Sequence, residues 1–143
     1  MLEDLRAYMV EDQKRTYTIV IGTDSHEYLH TDFVTAVVIH RVGAGGRYFW
    51  VREQQKNLPT LRQRIYLEAL RSLEVAEVMT RSIYEIVKEE GCKFNIEIHV
   101  DIGEHGETRD MIKEIVGMIR GNGFEVRTKP LAYGAFVVAD RHT

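Results

Sequence analysis

Thr18-Ile19-Val20-Ile21-Gly22-Thr23-Asp24-Ser25 is a β-branched run that ends on a glycine, a hydroxyl and a carboxylate. It reads as a strand, about 17–24, closed by Asp24. A second run of the same form, Asn95-Ile96-Glu97-Ile98-His99-Val100-Asp101, reads as a strand over about 94–101, closed by Asp101. Between them, residues 32–41 and 47–54 are β-branched or aromatic, and Gly43-Ala44-Gly45-Gly46 separates the two. Glycines there permit the positive φ of a hairpin, so the first three strands read as an antiparallel meander.

Pro59 and Thr60 open a long helix, about 59–90, which Gly91 ends. With Leu61 at zero and a step of 100° per residue, Ile65, Ala69, Ala76, Met79, Ile83, Ile86 and Val87 share one arc. Glu68 and Ser72 fall inside that arc, whereas Glu74, Glu77 and Glu85 fall outside it. After the second quoted strand, residues 103–108 form a turn in which Thr108 suits an N-cap for a helix to about Arg120. Gly121-Asn122-Gly123 ends that helix, residues 124–128 form a short fifth strand, and Pro130 stops it. The tail, about 132–142, reads as a last helix. Residues 1–16 place Leu2, Leu5, Met9 and Val10 at helical spacing, as a short helix or leader ahead of one domain, 17–143.

The element order is therefore βββαβαβα, an α/β arrangement. Helical connections make strands one, four and five parallel, and the hairpins make strand two antiparallel to its neighbours. A five-stranded mixed sheet in the order 3-2-1-4-5, flanked by helices, satisfies both demands. Strands one and four are then adjacent and their connections leave in opposite directions. That is the crevice where open α/β sheets bind ligands, and Asp24 and Asp101 stand at it.

Bulk properties bound the function. A chain of 143 residues, 44% hydrophobic and 29% charged, suits one core. The longest apolar stretch, residues 33–39, is too short to span a bilayer. The start Met1-Leu2-Glu3-Asp4-Leu5-Arg6 lacks the pattern of a signal peptide, and a single cysteine, Cys92, suits a reducing compartment. A cytoplasmic protein with no membrane association is expected. The net charge of −3 argues against a non-specific nucleic-acid packaging role. It leaves open an enzyme whose bound metal supplies local positive charge.

Four acids are candidates for that metal: Asp24, Glu68, Asp101 and Asp140, the last ending the run Ala135-Phe136-Val137-Val138-Ala139. Mg²⁺ and Mn²⁺ prefer oxygen ligands, and converging carboxylates tolerate each other only with cations or protons between them. Each acid also has a plainer reading. Asp24 and Asp101 suit turns after strands, Glu68 could pair with Arg64 or Arg71 on its own helix, and Asp140 could be exposed. Glu68 is the most telling, because an acid in an apolar arc is costly to bury unpaired.

Several motifs in order carry a family resemblance: Ile21-Gly22-Thr23-Asp24-Ser25, Gly45-Gly46 before Tyr48-Phe49, Ile98-His99-Val100-Asp101-Ile102-Gly103, Lys129-Pro130 and Val138-Ala139-Asp140. Over about residues 17–141 the chain resembles the RNase H-like bacterial proteins of the YkuK type. The resemblance implies an RNase H-like fold, with Asp24, Glu68, Asp101 and Asp140 as metal-binding and catalytic acids. Asp140 comes late in a short element compared with the superfamily's acid, which makes His142 an alternative ligand. Arg62, Arg64, Arg71, Lys56 and Lys129 could form a local basic patch in a chain that is otherwise acidic.

Other signals are weaker. No His-Glu-x-x-His or paired-cysteine spacing supports zinc. His99 and His26 could line the acids, whose charges would favour the protonated imidazole. Ser25 lacks the glycine elbow of a nucleophile. Tyr48, Phe49 and Trp50 could stack on bases, although Trp50 reads rather as core or hairpin packing. The expected function is a Mg²⁺- or Mn²⁺-dependent nuclease that hydrolyses phosphodiester bonds in nucleic acid with two ions about 3.5–4 Å apart. The alternative is a catalytically silent RNase H-like module that binds a protein or nucleic-acid partner. An edge strand at 47–54 would also give a homodimer a place to form.

Overall fold

A computed structural model of the chain describes residues 2–11, 16–27, 31–41, 43, 45–56, 60–90, 93–103 and 109–128. At the centre lies β1 (Thr16–Glu27), antiparallel to β2 (Thr31–Arg41) on one side and parallel to β4 (Lys93–His99) on the other. β3 (Gly46–Gln55) pairs antiparallel with β2 and forms one edge; β5 (Glu125–Arg127) pairs parallel with β4 and forms the other. The sheet order is β3-β2-β1-β4-β5, as the connection rules require.

Alternation along β1 explains how the sheet holds its helices. Tyr17, Ile19 and Ile21 are fully buried, while Thr18 and Val20 are half-buried. The buried set faces α2 (Leu61–Glu90), whose Ile65, Ala69, Leu73, Ala76, Met79 and Ile83 join the same core. Full burial of one such Ile or Met side chain is worth about 1.5–3 kcal/mol. Leu61, the reference residue of the arc, is an exception at the helix start and is exposed. The side chains of Ile86 and Val87 lie outside the described residues. α3 (Ile112–Gly121), preceded by a 3-10 turn at Arg109–Met111, adds Ile115 and Ile119 to that core. Val34 and Ala36 of β2 form a separate buried pair on the opposite face.

α1 (Leu2–Glu11) packs on the same body, with Leu5, Tyr8 and Met9 in the core. Arg41 at the end of β2 fastens it. Its Nη2 donates to the Tyr8 carbonyl at 2.8 Å, and its guanidinium lies 4.1 Å from the centre of the Tyr8 ring.

Two strand ends differ from expectation. β1 runs on to Glu27, so Asp24 lies inside it, opposite Val34, and does not close it. The reason is that pairing with β2 continues past Gly22↔His99, where pairing with β4 stops. β4 ends at His99, which leaves Asp101 two positions beyond it in a bend. Thr108, the last helix, and with it Asp140 and His142, lie outside the described residues. Among the described residues no helix is long and apolar enough to cross a membrane.

Candidate active site

At the carboxyl end of β4 the chain leaves the sheet through Val100 and Asp101, while β1 continues alongside β2. Val100 N–H donates to the Arg127 carbonyl at 2.9 Å and so steers the departing chain along β5. Beyond Gly22, therefore, Thr23, Asp24 and Ser25 pair with β2 alone. Thr23 and Ser25 share the α2 face by strand alternation. Thr23 Oγ1 lies 2.9 Å from Thr35 Oγ1 and 2.8 Å from Ser72 Oγ, so three buried hydroxyls link β2, β1 and α2. One turn earlier on α2, Glu68 Oε2 accepts the Ser25 Oγ hydrogen bond at 2.8 Å. Asp24, between the two, accepts the Ser25 backbone N–H on Oδ1 at 3.0 Å.

Glu68 is 8% exposed. Burial pushes its carboxyl up from an ordinary value of 4.5 to about 8. The negative charges of Asp24 and Asp101 push in the same direction, while the Ser25 hydroxyl and the Arg64 guanidinium pull it back. Glu68 thus lies within the electrostatic reach of Asp24 and Asp101. A cavity of about 10 Å³ lies against Glu68, lined also by Thr23, Ser72, His99 and Asp101. That is near the lower limit for one water molecule.

Other expected residues are placed differently. Arg71 does not pair with Glu68; its Nε is 2.9 Å from Glu53 and its Nη1 3.3 Å from Glu74. Arg62 is bound to Asp110 at 2.7 Å. Two members of the expected basic patch are thus already engaged by acids. His99 is buried, and burial, the largest influence, lowers its pKa, which corrects the expectation of a protonated imidazole. The attraction of Glu97, whose Oε2 is 3.8 Å from His99 Nε2, does not reverse this. Trp50 is 42% exposed rather than core, because the hairpin register sets Phe49 opposite Val37 and turns Trp50 to the other face.

Among the described residues, no three His, Cys, Asp or Glu side chains stand in an arrangement that could hold a metal ion as placed. The chemistry of the donors nonetheless fits a hard cation. Three carboxylates and a serine hydroxyl offer oxygen alone, and the Glu68 carboxyl is held buried among like charges. Sequence reading did not single out Thr23, and it weighed Ser25 only as a nucleophile. Their partners are 49 and 43 positions away, so only the packing of α2 on β1 reveals them.

The Ribonuclease H-like family model matches residues 1–143. The chain is 35% identical over 153 residues to a Bacillus subtilis (strain 168) protein named "Uncharacterized protein YkuK", a match spanning 100% of this chain and 88% of that protein. A solved structure of the Mos1 transposase catalytic domain and raltegravir with Mn is similar at 9% identity and a TM-score of 0.38, over 99% of this chain and 67% of that one. That likeness is too slight to argue from.

Proposed function

The chain belongs to the ribonuclease H-like family, and from that premise we propose that it is a divalent-metal-dependent nuclease hydrolysing phosphodiester bonds in nucleic acid. The observation that carries this reading is Glu68, a buried carboxyl aimed at Ser25 and set in the field of Asp24 and Asp101. Evolution of a stable core alone would favour an apolar side chain there.

Asp24, Glu68 and Asp101 would hold Mg²⁺ or Mn²⁺, with Asp140 completing the set. The bound ions would supply a nucleophilic water and stabilise the leaving oxygen. The chain's own groups prepare the place. Ser25 fixes the Glu68 carboxyl by its hydrogen bond. The Thr35–Thr23–Ser72 hydroxyls tie β2, β1 and α2 together one helical turn from Glu68. Arg64 offsets part of the negative charge.

The test is cleavage of labelled single- and double-stranded DNA and RNA, an RNA–DNA hybrid and a four-way junction, each with Mn²⁺, with Mg²⁺ and with EDTA. Metal-dependent cutting that Asp101→Asn abolishes is the expected result. Cutting that survives both Asp24→Asn and Asp101→Asn would overturn it.

A second reading, a catalytically silent binding module, draws support from Arg62 and Arg71, whose charges are already taken up by acids. Millimolar Mn²⁺ separates the two, since an intact site raises the melting temperature by mass action. A folded protein with no such shift would favour the silent module.

A further inference from the structure

Ser72 is buried in the contact between α2 and the sheet, and it is neither one of the acids nor a direct partner of one. It is 1% exposed, and its Oγ lies 2.8 Å from Thr23 Oγ1. Thr23 Oγ1 has a second neighbour, Thr35 Oγ1 at 2.9 Å, and so stands between two hydroxyls. Ser72 Oγ ends that chain. A hydroxyl carries one donor and two acceptor sites, so Ser72 keeps the capacity for a further bond. The core itself has no use for a polar group here, since Ala69, Leu73 and Ala76 of the same helix enter it as apolar side chains.

Glu68 has the same capacity. It precedes Ser72 by four residues on α2, so the two share one flank of the helix. Its Oε2 accepts the Ser25 hydroxyl at 2.8 Å, which leaves Oε1 for another partner. A carboxyl oxygen at this depth calls for one. Both residues line the cavity of about 10 Å³, with Thr23 and Asp101 on its polar side and Ile65 and Ile115 on its apolar side. Such a space admits one water molecule, which needs about two to four polar partners. In so small a space a single molecule reaches every wall.

We propose that one water molecule in this cavity bridges Ser72 Oγ to Glu68 Oε1, and that Ser72 is thereby a positioning residue for the Glu68 carboxyl. The water deepens the nuclease reading and rests on it only for the consequence at the metal. A water-mediated hydrogen bond is nearly as good as a direct one. With Ser25 on Oε2 and the water on Oε1, both carboxyl oxygens are held and the group cannot turn about its last side-chain bond. Groups that orient a metal ligand in this way are worth on the order of 10- to 100-fold in metal affinity.

The test is a crystal structure of the metal-free protein and of Ser72→Ala, with Mn²⁺ titrations of both followed by the signal of the free ion. Ile83→Val, a core truncation farther along α2, is the control for lost stability alone. The native crystal is expected to show one ordered water within hydrogen-bonding distance of Ser72 Oγ and Glu68 Oε1. Ser72→Ala should lose that water, let the carboxyl turn and weaken Mn²⁺ binding by on the order of 10-fold. Ile83→Val should bind Mn²⁺ as the native chain does. No water at that place, or a carboxyl orientation and an Mn²⁺ affinity unchanged in Ser72→Ala, would each overturn the proposal. The two arms keep the claims apart. An ordered water and a carboxyl that turns in Ser72→Ala, in a native chain that binds no Mn²⁺, sink the metal reading alone. Mn²⁺ binding without the water sinks the water alone.

Discussion

Ser25 and Glu68, 43 positions apart in the chain, share a 2.8 Å hydrogen bond in which the hydroxyl Oγ donates to Oε2. The bond joins the central strand to the long helix at a point where a carboxyl is buried in the field of other carboxylates. A protein gains no stability from such a placement. The cost appears in the raised pKa of Glu68, and its dependence on pH follows from the sign of that shift.

In the folded chain the Glu68 carboxyl titrates near 8 against an ordinary 4.5. Between those values the folded state holds a proton that the unfolded state has released, so folding weakens as pH rises. The contribution is fully present below about pH 4.5 and is lost as pH climbs through about 8. Melting curves in EDTA for the native chain and for Glu68→Gln should therefore converge near about pH 5 and separate by about pH 9, with the variant higher by about 5 °C or more. A difference that stays constant across this range would contradict the buried, proton-holding carboxyl.

Ser25→Ala tests the partner. Removing a hydroxyl bonded to a buried carboxyl should cost about 1–2 kcal/mol in urea unfolding. It also removes a bond that favours the ionised form, so the stability loss with rising pH should begin at the same pH as in the native chain but continue to higher pH. A neutral effect on both readouts would mean that the hydrogen bond does not hold Glu68.

The layout of the site was legible in sequence where local pattern and connection rules sufficed. The β-branched run before Asp24, the alternation before Asp101 and the helical arc containing Glu68 and Ser72 all rest on short-range periodicity. What escaped was set by pairing over long separations. Whether β1 stops at Asp24 or runs to Glu27 depends on β2, which supplies Phe33, Asp32 and Thr31 as partners beyond the end of β4. The direction of Trp50 was equally hidden, because Tyr48-Phe49-Trp50-Val51 is apolar at every position and only the hairpin register chooses a face. The burial of His99, which lowers its pKa, was hidden as well, because sequence shows nearby charge and not depth of burial.

Gly46 opens β3 opposite His40, and a Cβ built there would come within 2.6 Å of the Ile39 carbonyl oxygen. Backbone cannot swing aside as a flexible side chain can. Gly46→Ala should therefore destabilise by about 1–3 kcal/mol. Gly117, in α3 with open space around its Cβ position, is the control. Gly117→Ala should stabilise by about 0.5–1 kcal/mol through helix propensity. Equal effects at the two sites would show that the close approach at Ile39 is relieved at no cost.

Met9 decides whether α1 belongs to the cooperative unit. It is fully buried, its carbonyl accepts the Tyr17 hydroxyl at 3.2 Å, and Leu5 and Tyr8 enter the same core beside it. If α1 folds with the sheet, Met9→Ala should cost about 2–4 kcal/mol in urea unfolding, as a core truncation does, with the slope unchanged. A detachable leader would lose less than about 0.5 kcal/mol, because the sheet and α2 would unfold as before. Arg41 sharpens the distinction, since it bonds the Tyr8 carbonyl and stacks on that ring from the end of β2. Arg41→Lys keeps the charge and loses the planar fork, so in a single cooperative unit amide exchange should quicken evenly over α1 and β1. Faster exchange in α1 ahead of β1 would instead mark α1 as an element that opens without the sheet.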